Sequence, residues 1–238
     1  MRTWINFSKE LPLCFLSHLD LMRLWQRAIR RSKLPVAYSA GFNPHQKLSF
    51  ASALPVGVTS SDEYLDIQFT EAVNNDGFKR LADALPSGLS IHGRQDIPDG
   101  IPPLMSLIGA ASWHVSCGLN EPSELGGAVN SLLSSESLPV EREGKRGKKK
   151  LDIRPLVLNL ELEKSLSGHQ LSMLLQTGGD GGARPQEILA LLGMAEERLM
   201  LHRTALYVRV GARLQRPAYV ALIKNEVQID AKKDYYQL

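Results

Sequence analysis

Two cysteines in 238 residues, Cys14 and Cys117, are too few for a disulfide framework, a structural zinc site or an iron–sulfur cluster. That scarcity points to a reducing, cytoplasmic compartment. Long apolar runs are missing too. None approaches the roughly 20 residues needed to span a bilayer, so no membrane association is expected. Met1-Arg2-Thr3-Trp4 leads into polar residues within a few positions, and no secretory leader is expected. There is no GxxxxGK[ST], no GxGxxG between a strand and a helix, no HExxH and no GxSxG. The GGDGG at Gly178–Gly182 has neither a following Lys-Ser/Thr nor a long helix after it. Metal-ligand spacing is absent throughout, so neither a metal nor a cofactor is expected in this chain, and binding is favoured over catalysis.

What is present is local positive charge on a chain of net charge only +3. REGKRGKKK spans Arg142–Lys150, and Arg23, Arg27, Arg30, Arg31 and Lys33 fall around the first helix. Asp62, Glu63, Asp66, Glu71 and Asp76 gather elsewhere. Clustered bases on a near-neutral chain suggest a local polyanion-binding face.

Periodicity gives the framework. Thr3–Lys9 alternates as a strand. Ser17-His18-Leu19-Asp20 has the form of a helix capping signal, and Leu21, Met22, Trp25, Ala28 and Ile29 follow with a 3.6-residue period until Pro35. Val36–Ala40 and Lys47–Ala53 are extended on either side of a Gly41–His45 turn, where Gly41 permits a positive φ and Asn43-Pro44 restricts the backbone. Tyr64–Thr70 is a strand, a segment from Glu71 or Asn75 to Leu85 a helix, and Leu89–Gln95 a strand. The order β-α-β-β-α-β is the ferredoxin-like split arrangement. Three prolines in Ile97–Leu104 mark a linker. A second α+β half follows: strand Ala111–Gly118, helix Glu121–Ser134, strands Pro139–Glu143, Leu156–Leu162 and Gln170–Leu175, helix Pro185–Leu192 and strand His202–Val210. The expected fold is therefore α+β with two ferredoxin-like halves, the second degenerate. Its segments are 1–96, a linker at 97–104, a second half at 105–215 and a tail at 216–238.

Several residues carry candidate chemistry. Phe42 can stack on a base, Asn43 can hydrogen-bond a base edge, and His45 and Lys47 can meet phosphate. The plain alternative is a hairpin turn in which Phe42 plugs the edge of the core. Lys145, Arg146, Lys148, Lys149 and Lys150 form a flexible basic tip suited to phosphate backbones, or simply a solvated loop. With Arg23, Arg27, Arg30 and Arg31 they make the expected RNA-binding set. His18 and His45 are weak acid–base candidates of the kind metal-independent ribonucleases use. Ser17, Asp20, Gly41, Asp152 and Arg154 are expected to be structural or to orient a ligand.

The stretch FLSHLDLMRLWQRAIRRSKLPVAYSAGFNPHQKLSFASALPVGVTSSDEYLDIQF, Phe15–Phe69, closely resembles the radical-SAM-linked protein family. Those proteins are fused behind, or encoded beside, a cobalamin-binding-type radical SAM protein. The matching pieces are Ser17–Asp20 with the Arg27–Arg31 helix end, Gly41–His45 with Lys47 and Ser49–Ala51, Leu54–Gly57, and Glu63–Asp66. Asp152-Ile153-Arg154-Pro155 is similar to the family's second-half motif. Gln46 stands where a second proline is usual. The resemblance implies a radical SAM partner carrying the iron–sulfur cluster and S-adenosylmethionine. The association of such genes with ribosome and ribonuclease genes implies RNA, tRNA or rRNA, as the substrate, and nothing indicates DNA specifically. Three roles follow as expectations: an RNA-binding or substrate-presenting accessory subunit, a metal-independent ribonuclease using His18 and His45, or a protein–protein adaptor for the radical SAM partner.

Overall fold

The computed structural model describes residues 1–117, 122–144, 147–165, 168–179, 181–194 and 199–220. The fold is mixed α+β, dominated by mostly antiparallel sheet with few helices. Two compact units divide it: Met1–Ile108 with Ala205–Leu238, and Gly109–Thr204.

The first unit runs β1 (Arg2–Lys9), α1 (His18–Arg31), β2 (Leu48–Phe50), β3 (Thr59–Gln68), α2 (Asn75–Asp83), β4 (Leu89–Ile97) and α3 (Leu104–Leu107). Strand β1 is central, antiparallel to both β3 and β4, and β2 pairs antiparallel with β3. Because side chains alternate across a sheet, one face of this array carries Ile5, Phe7, Leu65 and Ile67. They pack with Trp25 and Ile29 of α1 and Phe78 and Leu81 of α2 into one core. Burial of each such large apolar side chain contributes about 1.5–3 kcal/mol, which is why α1 and α2 settle on this face. The other face carries Trp4, Asn6, Tyr64 and Asp66.

Helix α1 starts where its sequence says it should. Ser17 Oγ accepts from Asp20 N at 3.2 Å, satisfying one of the otherwise unpaired N-terminal donors. The helix closes at Ser32, Lys33 takes a left-handed φ of 54°, and Pro35 follows. The C-termini of α1 and α2 are tied reciprocally: Arg31 donates to the carbonyl of Ala84, and Arg80 to that of Ser32 at 3.2 Å. Each guanidinium so meets the negative end of the other helix. The Pro-rich segment after β4 is also anchored. Arg2 donates to Asp66 through Nε at 2.7 Å and to the carbonyl of Pro102 at 2.8 Å, and Asp66 accepts from Leu104 N at 3.0 Å.

The second unit holds β5 (Ile108–Ser116), α4 (Pro122–Ser134), β6 (Pro139–Gly144), β7 (Gly147–Asp152), β8 (Val157–Ser165), β9 (Gly168–Gln176), α5 (Pro185–Leu191) and the start of β10 (Leu201–Val210). Strand β9 pairs antiparallel with β5 and β8, and Ser112 of β5 meets Thr204 of β10 at 2.6 Å between hydroxyls. Strands β6 and β7 form a separate two-stranded hairpin. Residues 148–150, expected in a loop, therefore lie on a strand: the backbone ladder of β6 holds them extended despite their weak strand preference. From Ala205 the chain belongs to the first unit, where β11 (Arg213–Gln215) pairs with β10 and α6 (Pro217–Val220) follows.

Candidate nucleic-acid interface

The turn at Gly41–His45 is closed from both sides. Val36 bridges to Phe69 and Tyr38 to Gln46, while Lys47 N donates to the carbonyl of Ala37 at 2.8 Å. At the mouth of the turn Ser39 N donates to the carbonyl of His45 at 2.8 Å, and His45 N donates to Ser39 Oγ at 2.9 Å. Gly41 has φ 117°, a conformation side chains rarely adopt, and a Cβ there would meet nothing within 4 Å. Glycine is thus required by the backbone and not by crowding. Gln46 points inward, buried, with its amide 3.4 Å from the Tyr38 hydroxyl.

Phe42 is fully exposed on this ordered turn, so it does not plug the core edge. Asn43, Pro44, His45 and Lys47 are exposed beside it, and Tyr38 is half exposed. On α1, Arg23, Arg27 and Arg30 are exposed, whereas the Arg31 guanidinium is engaged at Ala84. Arg23 pairs with Asp20 at 3.2 Å. The hydrogen bond from Ser17, followed by the charge of Arg23, holds the Asp20 carboxyl below the usual carboxylate range. Solvated aromatic and cationic groups beside a hydrogen-bonded turn can stack on unpaired bases and contact phosphate without any chemistry at the turn.

His18 and His45 are not brought into contact. His18 packs edge-on against Phe50, with ring centroids 5.3 Å apart, while His45 is held through its backbone by Ser39. No hydrogen bond or ring contact joins the two among the described residues.

In the second unit, Lys148, Lys149 and Lys150 are exposed on β7, and Lys145 and Arg146 lie outside the described residues. Across the hairpin Glu143 opposes Lys148 and Glu141 opposes Lys150, with Lys148 Nζ 3.5 Å from Glu141. Arg142 turns away to Glu187, donating at 2.6 and 2.7 Å, and to the carbonyl of Gly182 at 2.6 Å. Burial pushes the Glu187 carboxyl up, but hydrogen bonds from Arg142 and the Arg184 N–H outweigh it and hold the group below its usual range. Asp152 and Arg154 are a clasp for the end of α4. Asp152 accepts from Leu138 N at 2.7 Å and Arg154 N at 2.9 Å, while Arg154 donates to the carbonyls of Leu133, Ser135 and Val157 at 2.7, 3.1 and 3.2 Å.

Asp62 on β3, read from the sequence only as one of five clustered carboxylates, is buried. Asp62 accepts from Asn6 at 2.8 Å, Leu206 N at 2.9 Å and Arg216 at 3.2 Å. Burial, then the Asp62 charge, push the Tyr64 phenol up. The alternation of Asp62, Tyr64 and Asp66 in one strand was the available signal. Among the described residues no group of three or more His, Cys, Asp or Glu is placed to hold a metal. No described helix is long and apolar enough to cross a membrane.

A family model described as "Uncharacterized protein conserved in bacteria (DUF2344)" matches residues 2–185. The chain belongs to that family. Its description carries no tie to radical SAM proteins. No curated protein matches the chain. Among solved structures, it is similar to a chain in the crystal structure of a Cbf5–Nop10–Gar1 complex, with TM-score 0.43 and 8% identity over 86% of this chain and 48% of the other. This chain thus spans about half the length of that match. A crystal structure of an unknown protein from Galdieria sulphuraria matches with TM-score 0.25 and 13% identity, over 85% of this chain and 97% of the other.

Proposed function

We propose that this protein is a non-catalytic subunit that binds RNA, tRNA or rRNA, and presents it to a radical SAM modification enzyme. The observation that carries the RNA part is the fully exposed Phe42 on a hydrogen-bonded turn, flanked by Tyr38, His45 and Lys47. An aromatic ring held in solvent costs hydrophobic free energy, and a stacking partner recovers it. The radical SAM partner, carrying the iron–sulfur cluster and S-adenosylmethionine, is supported by the sequence resemblance at Ser17–Asp20, Gly41–Lys47 and Glu63–Asp66. We further infer that both halves are ferredoxin-like. In support, the first has the order β4-β1-β3-β2 with antiparallel neighbours, and the second places β9 between β5 and β8 with the start of β10 beside β5. The test is fluorescence anisotropy with tRNA and rRNA fragments over a salt series. The reading predicts micromolar or tighter binding at low salt that weakens steeply as salt rises; absence of low-salt binding removes it.

A protein–protein adaptor is the second reading. Phe15, Leu19 and Val56 are exposed, and the hydrogen bond from Gly57 N to the Cys14 carbonyl at 2.9 Å holds the segments of Phe15 and Val56 side by side. Co-purification with the radical SAM partner after nuclease treatment would favour this role; loss of the partner on nuclease treatment would favour RNA. The ribonuclease reading has no contact between His18 and His45 to support it.

A further inference from the structure

The polar face of the first unit's sheet contains a cavity of about 170 Å³ whose wall includes Trp4, Asn6, Tyr64, Gly93, Gln95 and Ala218. We propose that it is a binding site for one unpaired nucleobase, a neutral planar heterocycle; the source of that base, an RNA strand, rests on the function proposed above.

Size is the first argument. Pockets for drug-sized ligands run to about 300–1,000 Å³, and a single water occupies about 30 Å³ of liquid. A space of about 170 Å³ therefore exceeds a lone water and falls below the range of drug-sized pockets. It suits one ring system.

The wall chemistry is the second argument. Trp4 is almost completely buried, yet its indole N–H has no acceptor. That nitrogen has essentially no accessible surface, so it sits behind the cavity wall, and its NMR signal reports any ligand that shifts the ring. Asn6 uses both amide hydrogens, on Asp62 at 2.8 Å and on the carbonyl of Glu63 at 3.3 Å, so it offers only its carbonyl oxygen. Half-buried Gln95 stands opposite Trp4 in the β1–β4 register and brings an amide able to donate and accept. Such amides pair with the donor–acceptor edges of bases. Trp4 and Tyr64, both nearly buried, supply a small apolar part of the wall.

Charge decides the class of ligand. Arg94 also lines the cavity, but its guanidinium is committed: it donates to the Val73 carbonyl at 3.1 Å and Asn75 at 2.7 Å and lies 4.0 Å over the Phe78 ring. Arg216 is paired with Asp62. No uncommitted cation among the described residues lines the cavity to neutralise an anion, so its described wall favours a neutral ligand over phosphate. Gly93 keeps the space open: it faces Asn6 in the register, its φ is outside the left-handed region, and a Cβ there would meet nothing within 4 Å.

The test reads the indole N–H signals of the three tryptophans by ¹H–¹⁵N correlation, with Trp4 assigned from Trp4→Phe. Adenosine, guanosine, cytidine and uridine are titrated to millimolar concentration, with ribose as control. At least one nucleoside should shift the Trp4 signal saturably while Trp25, Trp113 and the ribose control stay unchanged. Gly93→Phe, which fills the cavity, should weaken that binding at least tenfold, and the milder Gln95→Ala several-fold, both with unchanged melting. Silence of the Trp4 signal toward all four nucleosides, or a shift undiminished in both variants, overturns the assignment. A short single-stranded RNA should move the same signal at lower concentration than its nucleoside; the reverse order would overturn the RNA origin of the base. RNA affinity without any Trp4 response sinks this cavity alone, and a Trp4 response to nucleosides without RNA affinity sinks the proposed function alone.

Discussion

Two basic regions look alike as sequence and differ as structure. Lys148 lies 3.5 Å from Glu141, and Glu143 and Glu141 stand opposite Lys148 and Lys150, with Arg142 opposite Lys149, whereas Arg30 on α1 and Lys47 beside the Phe42 turn have no ion pair among the described residues. A cation beside a carboxylate presents a weakened field to an incoming phosphate, and exposed pairs are further screened by salt. On the proposed function the denser charge run is expected to be the poorer polyanion surface. Density along the chain says little until the opposing strand is known.

The largest effect should come from releasing the hairpin. Glu187→Gln leaves the Arg142 guanidinium without its carboxylate in a partly buried site, and should destabilise the second unit by about 1–3 kcal/mol, read by chemical denaturation. Its pH dependence has a fixed sign. The folded Glu187 pKa is depressed below 4.5, so the pair's contribution is present above that value and is lost as pH falls through the lower folded value. The stability gap between native protein and variant should therefore narrow on acidification; a constant gap would show that the ion pair is not its cause.

Next in size is the turn. Phe42→Ala should weaken RNA binding about tenfold, since a stacked base is worth about 1–3 kcal/mol, with no change in melting temperature because the ring buries nothing. Arg30→Ala and Lys47→Ala should each lower the log–log salt slope by about 0.7–0.9 for every phosphate the variant no longer neutralises. The smallest effect belongs to the hairpin charges: Lys148→Ala should change RNA affinity by less than about twofold, within what an exposed, acid-paired lysine contributes. Equal weakening by Lys148→Ala and Arg30→Ala would break the contrast between the two regions.

Much of the framework was legible because it is local. The Ser17–Asp20 cap, the α1 stripe of Leu21, Trp25 and Ile29, and the turn glycine at Gly41 act within a few residues of themselves. The rest depends on partners far along the chain. Arg31 was counted among free cations, yet it answers a carbonyl 53 residues away. Lys148–Lys150 has no strand periodicity of its own and is extended only because β6 lies beside it. The Pro-rich 97–104 segment gave no sign that Arg2 and Asp66 would anchor it. The cavity beside Trp4 exists only once β1, β3 and β4 are in register, so no spacing in the sequence could announce it.

The central claim is that the Phe42 turn, and not the lysine run, carries the RNA contact. Anisotropy titration of one tRNA against native protein, Phe42→Ala/Lys47→Ala and Lys148→Ala/Lys149→Ala/Lys150→Ala at a single low salt concentration tests it most directly. The account predicts affinity reduced tenfold or more for the turn variant and little change for the hairpin variant; native-like binding by the turn variant would contradict it.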